Sequence, residues 1–256
     1  MSTQIETGCQ EIKVTVADGV RTIRMDRPEK KNALTLPMYD AIAAALTGAN
    51  DDVDTRATLM LGLPGAFSAG NDIAEFAKMA TAGALGEPIV AFLNTLAQSQ
   101  KPLIAGVDGL AIGVGTTMLF HCDYVVASER CLFKTPFTDL ALLPEAASSL
   151  LGPRIMGHPK AFELLCMGQA FDAMAFEKAG VVNAVTSADA LEDTALAAAK
   201  TIATKPVGAM KIARDLLRKA GVEEVESRIR EEAAAFATQL GSAEAQAAFA
   251  AFLNRK

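Results

Sequence analysis

Leu103-Ile104-Ala105-Gly106-Val107-Asp108-Gly109-Leu110-Ala111-Ile112-Gly113-Val114-Gly115 is the stretch that decides the fold. Its first five residues are apolar without alternation, the pattern of a strand covered on both faces. Glycines then crowd the place where the chain leaves that strand and enters a helix, whose first N–H groups lack intrahelical partners. The same cadence stands earlier. Ala57 to Leu63 reads as a buried strand and leads into Phe67-Ser68-Ala69-Gly70-Asn71-Asp72, with Asp72 placed to cap a helix over Ile73 to Ala80. Asp123 to Ala127 adds a further strand. Strands alternating with helical segments predict an α/β protein with a mostly parallel sheet.

Outward from these units the signals are local. Ile12, Val14 and Val16 alternate with polar residues, Asp18-Gly19 follows, and Ile23 and Met25 resume the pattern, which predicts an antiparallel hairpin with a two-residue turn. Thr35 caps a predicted helix with Pro37 in its first turn and Met38, Ile42, Ala45 and Leu46 on one face. A helix near Ile89 to Ala97 ends before Lys101-Pro102. From about Ala188 onward only helical patterns remain. There Val222, Val225, Ile229, Phe236 and Leu240 form an apolar stripe, to be covered by the chain's own core or by another subunit.

The chain has 256 residues, 51% of them hydrophobic, and a formal net charge of −6, so a sizeable core is expected and small molecules are the better guess for partners. The acidic balance argues against nucleic acid and against an anionic membrane surface, since both require concentrated positive charge. Cys9, Cys122, Cys131 and Cys166 form no close pair, and His121 and His158 complete no ligand set, so free thiols and no metal site are expected. Met1 to Glu6 lacks a basic and apolar leader pattern, and Leu253-Asn254-Arg255-Lys256 is not a peroxisomal address. No apolar run reaches the ~18 residues of a membrane span. A cytoplasmic protein is the expectation.

Three places could carry chemistry. Gly70 permits close approach or positive φ, and Gly109 to Gly115 could hold an anion, although the text Gly113-Val114-Gly115 lacks the spacing of a dinucleotide fingerprint. Glu145 lies in Leu140-Ala141-Leu142-Leu143-Pro144-Glu145-Ala146-Ala147, where burial would raise its pKa toward that of a usable base. Proline followed by glutamate is also an ordinary helix start, and the helix dipole would push the pKa the other way. Both readings stand at this stage. Asp139 is a second carboxylate nearby, while His121, Cys122 and Cys166 have no partner that would make them nucleophilic.

Together with Arg27-Pro28-Glu29-Lys30-Lys31-Asn32-Ala33-Leu34, Lys101 to Gly109 and Cys122-Asp123, these motifs resemble the enoyl-CoA hydratase/isomerase (crotonase) superfamily over nearly the whole chain. The resemblance implies a ββα spiral core, assigned to residues 1–195, with a helical C-terminal oligomerisation region at 196–256, assembled as a homotrimer or hexamer. It implies an acyl-CoA thioester as substrate, no separate cofactor, and a carbonyl oxygen held between two backbone N–H groups, which map to Ala69 and Val114. A glycine usually stands where Val114 stands; the donor is main chain, so valine narrows the pocket without removing the N–H. The resemblance further assigns Lys31 and Ala33 to the CoA nucleotide. Ser68, Gly70, Asn71, Asp72 and Ile73 then fall to the pantetheine and thioester pocket, with Gly113 and Phe137 beside it.

Hydratases of this superfamily use two glutamates, whose positions correspond here to Thr117 and Phe137. Neither can activate water as a carboxylate would. Thr135-Pro136-Phe137 followed by Leu143-Pro144-Glu145 is instead similar to the peroxisomal-type 3,2-enoyl-CoA isomerases, where the glutamate after the later proline is the base. The leading expectation is therefore double-bond migration through an enolate, with Glu145 as base. Another acyl-CoA reaction on the same fold (hydratase, hydrolase or lyase) and a non-catalytic acyl-CoA-binding paralogue are the alternatives.

Overall fold

Asp18 (φ 51°) and Gly19 (φ 75°) both adopt left-handed conformations and close the first hairpin with the turn whose twist matches its strands. The computed structural model describes residues 2–82, 85–218 and 221–253. The hairpin strands β2 (Ile12–Ala17) and β3 (Val20–Met25) join β1 (Thr3–Ile5), β4 (Ala57–Leu61), β6 (Leu103–Val107), β8 (Tyr124–Ser128) and β11 (Ala184–Thr186) in one sheet, ordered β1-β2-β3-β4-β6-β8-β11. Pairing is antiparallel through β3 and parallel from β3 to β11. Every residue of β4 and β6 is buried, as their unbroken apolar runs require.

A second sheet holds β5 (Ala66–Ser68), β7 (Leu110–Ile112), β9 (Leu132–Lys134) and β10 (Phe171–Asp172), ordered β10-β9-β7-β5. Each central strand of the large sheet is followed at once by one of the small sheet: β4 by β5, β6 by β7, β8 by β9. This is the repeated ββα turn of a spiral. Helices complete the turns: α1 (Leu36–Asp51) after the hairpin, α2 (Ile73–Ala82) and α3 (Glu87–Gln98) after β5, α4 (Val114–Thr117) after β7 and α5 (Ser148–Leu165) after β9. Thr35 caps α1 by accepting from the Met38 N–H at 3.4 Å, and the Asp72 carboxylate caps α2 through Ala74 and Glu75.

After α6 (Ala173–Lys178), α7 (Leu191–Ala203) packs Leu191, Ala195 and Ala199 on the outer face of the large sheet against Val20, Leu59, Ile104 and Val126. A Cβ on Gly106 would lie 2.6 Å from Leu61 and 2.9 Å from Ala195, so the glycine lets this helix approach. The division expected between 195 and 196 thus cuts a helix of the core.

The chain ends in α8 (Val207–Arg218), α9 (Val222–Leu240) and α10 (Ala243–Leu253). The α9 stripe is covered by its own chain: Val225, Ile229, Phe236 and Leu240 are all buried, and Phe236 meets Phe76 edge-on at 5.9 Å. Of the two covers expected for the stripe, the structure shows the chain's own core, and burying a phenylalanine here already gains about 2–3 kcal/mol within the chain. On α8, Ile212, Leu216 and Leu217 are 62%, 71% and 87% exposed, and further exposed apolar side chains include Val53, Phe162, Met167 and Met174. No described helix is long and apolar enough to cross a membrane.

Candidate active site

Asn32 fixes the first loop. Buried, with φ 56°, it donates through Nδ2 to the Ala66 and Phe67 carbonyls at 2.9 and 3.2 Å and accepts the Arg27 N–H at 2.7 Å. The segment Arg27 to Leu34 is thereby stapled along the turn. The Ala69 N–H donates to the Lys31 carbonyl at 2.9 Å, the Leu34 N–H to Gly70, and the Asp72 N–H to Leu34. The amide left over is that of Asn71, which has no acceptor among the described residues. Ala69 is therefore corrected as a thioester donor: its hydrogen is committed to Lys31. The free N–H stands two residues later.

Gly113 (φ 56°, ψ −122°) turns the second loop into α4, and the Val114 N–H, first in that helix, likewise has no acceptor among the described residues. The loops touch. A Cβ on Gly70 would lie 2.8 Å from the Ile112 carbonyl oxygen, and one on Gly115 would lie 2.8 Å from that of Ser68. Beside them opens a cavity of about 170 Å³ whose wall includes Asn71, Ile73, Gly113, Phe137, Phe236 and Phe249. Larger grooves elsewhere on the surface include one of about 470 Å³ between α3 and α8.

Glu145 is 6% exposed and is not part of the cavity wall; it is tied to α4 through Thr117, and its charge acts on Tyr39, whose hydroxyl donates to the Asn71 side chain. Burial raises its pKa from 4.5 to about 8; the Thr117 hydroxyl, donating to Oε1 at 2.5 Å, works against that rise, and the negative charge of Glu232 adds to it. Oε2 is buried with no hydrogen-bond partner. The helix-start alternative fails on geometry, because α5 begins at Ser148, the Glu145 carboxyl meets none of its amides, and the Ala147 and Ser149 amides go to Glu232. Ala146 (φ 59°) and Ala147 (φ 53°) are left-handed, a conformation that costs an alanine about 1–2 kcal/mol each.

The remaining expected residues divide. Gly70, Asn71, Ile73, Gly113 and Phe137 border the cavity. Ser68 does not: it is fully buried, and its hydroxyl donates to the Asn32 carbonyl at 2.8 Å and accepts from Gly70. The Asp72 carboxylate is committed to the α2 amides and to Arg27 at 2.8 Å, which hold its pKa low against the opposing effect of burial. Lys31 is exposed and Ala33 half-buried, both outside the cavity wall. Asp139 is exposed and paired with Lys134 at 3.6 Å. Two contributors, Glu232 and Tyr39, go unread in the sequence, and Thr117 is read there only as a lost glutamate. Thr117 binds the carboxyl it faces, Glu232 caps α5, and buried Tyr39 donates to the Asn71 side-chain oxygen at 2.6 Å while sensing the Glu145 charge.

Two loops presenting free amides beside an apolar cavity, with the buried Glu145 carboxyl of raised pKa held to α4, form an arrangement that can hold an anionic oxygen while a proton moves. Comparison with known proteins agrees in kind. The enoyl-CoA hydratase/isomerase family model matches residues 15–256, and the chain belongs to that family. It is 36% identical over 250 residues to enoyl-CoA delta isomerase 2 of Rattus norvegicus, covering 96% of this chain and 64% of that protein, so it spans just under two thirds of that relative. A Mycobacterium bovis relative with an enoyl-CoA hydratase name is 30% identical over 93% of this chain and 92% of its own length. The solved structure of OdaA from Pseudomonas aeruginosa superposes with a TM-score of 0.92 at 38% identity, covering 96% of this chain and all of that one.

Proposed function

We propose that the protein is a 3,2-enoyl-CoA isomerase and that Glu145 is its base. The observation that carries the reading is one carboxyl where hydration needs two: Glu145 is buried at a pKa of about 8, while Thr117 and Phe137 carry no ionisable group. In a 3-enoyl thioester, Glu145 takes a proton from the α carbon, the electron pair moves into a dienolate, and the thioester oxygen becomes negative between the Asn71 and Val114 amides. The same carboxylic acid returns the proton at the γ carbon, leaving a 2-enoyl thioester. One mobile proton needs one base and no added cofactor. Each oxyanion donor is expected to contribute about 3–4 kcal/mol to the transition state. Relatives named as isomerases support the reading, and relatives named as hydratases mark its alternative. Purified protein should convert 3-enoyl-CoA to 2-enoyl-CoA far faster than it hydrates 2-enoyl-CoA; efficient hydration with negligible isomerisation would overturn the assignment.

The proposal extends to assembly. The exposed apolar residues of α8 suit contact with further copies of the chain, as a trimer or a multiple of one. Light scattering at micromolar concentration should report that assembly, and Leu217→Glu should weaken it without lowering the stability of the fold. A monomer in the parent protein would contradict this part of the proposal.

A further inference from the structure

We propose that Glu232 on α9 is a positioning residue for the base, holding the strap that carries Glu145. The inference rests on the reading of Glu145 given above. Glu145 is followed by two left-handed alanines, and such backbone persists only where its surroundings over-determine it. Hydrogen bonds hold it from both sides. His121, buried and kept neutral by desolvation that takes its pKa to about 4, donates from Nε2 to the Ala146 carbonyl at 2.7 Å. From the other side, the Ala147 N–H donates to one Glu232 oxygen at 2.6 Å, and the Ser149 N–H and hydroxyl donate to the other at 3.0 and 2.5 Å. Arg228 donates to the Ser149 oxygen at 2.9 Å, so the serine proton points at Glu232.

Every partner of Glu232 is a donor, which a carboxylate satisfies and a protonated acid would not. A glutamate reaching across from another helix to a helix start could be a cap alone. Its distinguishing feature is the neighbour. The groups acting on Glu145 are the Thr117 hydroxyl from α4 and Glu232 from α9, with Tyr39 of α1 sensing the Glu145 charge; on Glu232, burial raises the pKa, and Ser149, the Ala147 amide and Arg228 of its own helix oppose that rise. Negative charge on Glu232 opposes ionisation of Glu145 and so strengthens it as a base. It also fixes where the base stands.

The test compares Glu232→Gln, Ser149→Ala and Arg228→Met with the parent in isomerisation of 3-enoyl-CoA. Alongside, the Glu145 carboxyl is titrated by carbon NMR, which reads it whatever the reaction. Glu232→Gln should lower kcat about 10- to 100-fold with KM within about threefold, because a displaced base loses rate and not binding. The acidic limb of kcat/KM and the NMR titration should both move to lower pH by about half a unit or more. Ser149→Ala, which keeps the charge, should reduce thermal stability and leave the limb in place. Arg228→Met, which removes a cation that helps keep Glu232 ionised, should move the limb in the same direction, to lower pH, and serves if Glu232→Gln does not fold. Parent-like kcat with an unmoved limb in Glu232→Gln, or stability loss without any movement of the limb in either charge variant, overturns the positioning role. Glu145→Gln run in parallel separates the two readings: near-normal turnover there removes the base itself, whereas its loss beside an unaffected Glu232→Gln removes only the positioning.

Discussion

Glu145→Gln should lower isomerisation by a factor on the order of 100 to 10,000 while acyl-CoA binding survives, since the amide keeps the shape and the Thr117 contact but cannot take a proton. The same change should make the protein more stable. In the folded state the carboxyl titrates at about 8 against an ordinary 4.5. Below pH 4.5 it is protonated in both states and imposes no penalty. Between 4.5 and 8 the unfolded chain releases a proton that the folded protein keeps, so stability falls as pH rises, and above 8 the penalty is complete. Glutamine removes it. The variant should therefore gain on the order of 2–4 kcal/mol near pH 8 and nothing below pH 4.5, read by denaturant unfolding at both values. Asp139→Asn, altering an exposed carboxylate, should change neither quantity. Normal turnover in Glu145→Gln would remove this residue from the mechanism.

Gly70→Ala should be nearly as damaging through geometry alone. The residue sits at φ +87°, and its Cβ would come within 2.8 Å of a backbone oxygen, that of Ile112, which no side-chain rotation can relieve. The loops would part and the two free amides separate, so kcat/KM should fall about 100-fold or more. Stability should drop by about 1–2 kcal/mol from the conformational strain, and further from the contact. Gly65→Ala is the control, because Gly65 has the same handedness (φ +84°) with open space around its missing Cβ. It should show the strain and keep the turnover. Equal kcat/KM in Gly70→Ala and the parent would mean that the loop contact does not set the donors.

Legibility in the sequence followed the range of the interactions. The hairpin at Asp18-Gly19, α1 with Thr35 and Pro37, and the buried strands β4 and β6 are written in neighbouring residues and stand where the pattern puts them. The three-residue strands of the small sheet are too short to show a period, although they are what brings the glycine turns side by side. Which amide of the first loop is free was not legible either, since it depends on the Lys31 carbonyl reaching Ala69. Likewise the two readings of Glu145 differ only in what lies around it. Thr117 and Glu232, remote in sequence, separate them. The α9 stripe was visible, but a stripe does not say whose surface covers it.

Phe236 of α9 and Phe249 of α10 border the same cavity as Asn71 and Gly113. On the function proposed above, the donors, the base and this wall are all carried by one chain. In a mixed assembly of intact and Glu145→Gln chains, each site would succeed or fail by itself, and activity would track the fraction of intact chains in a straight line.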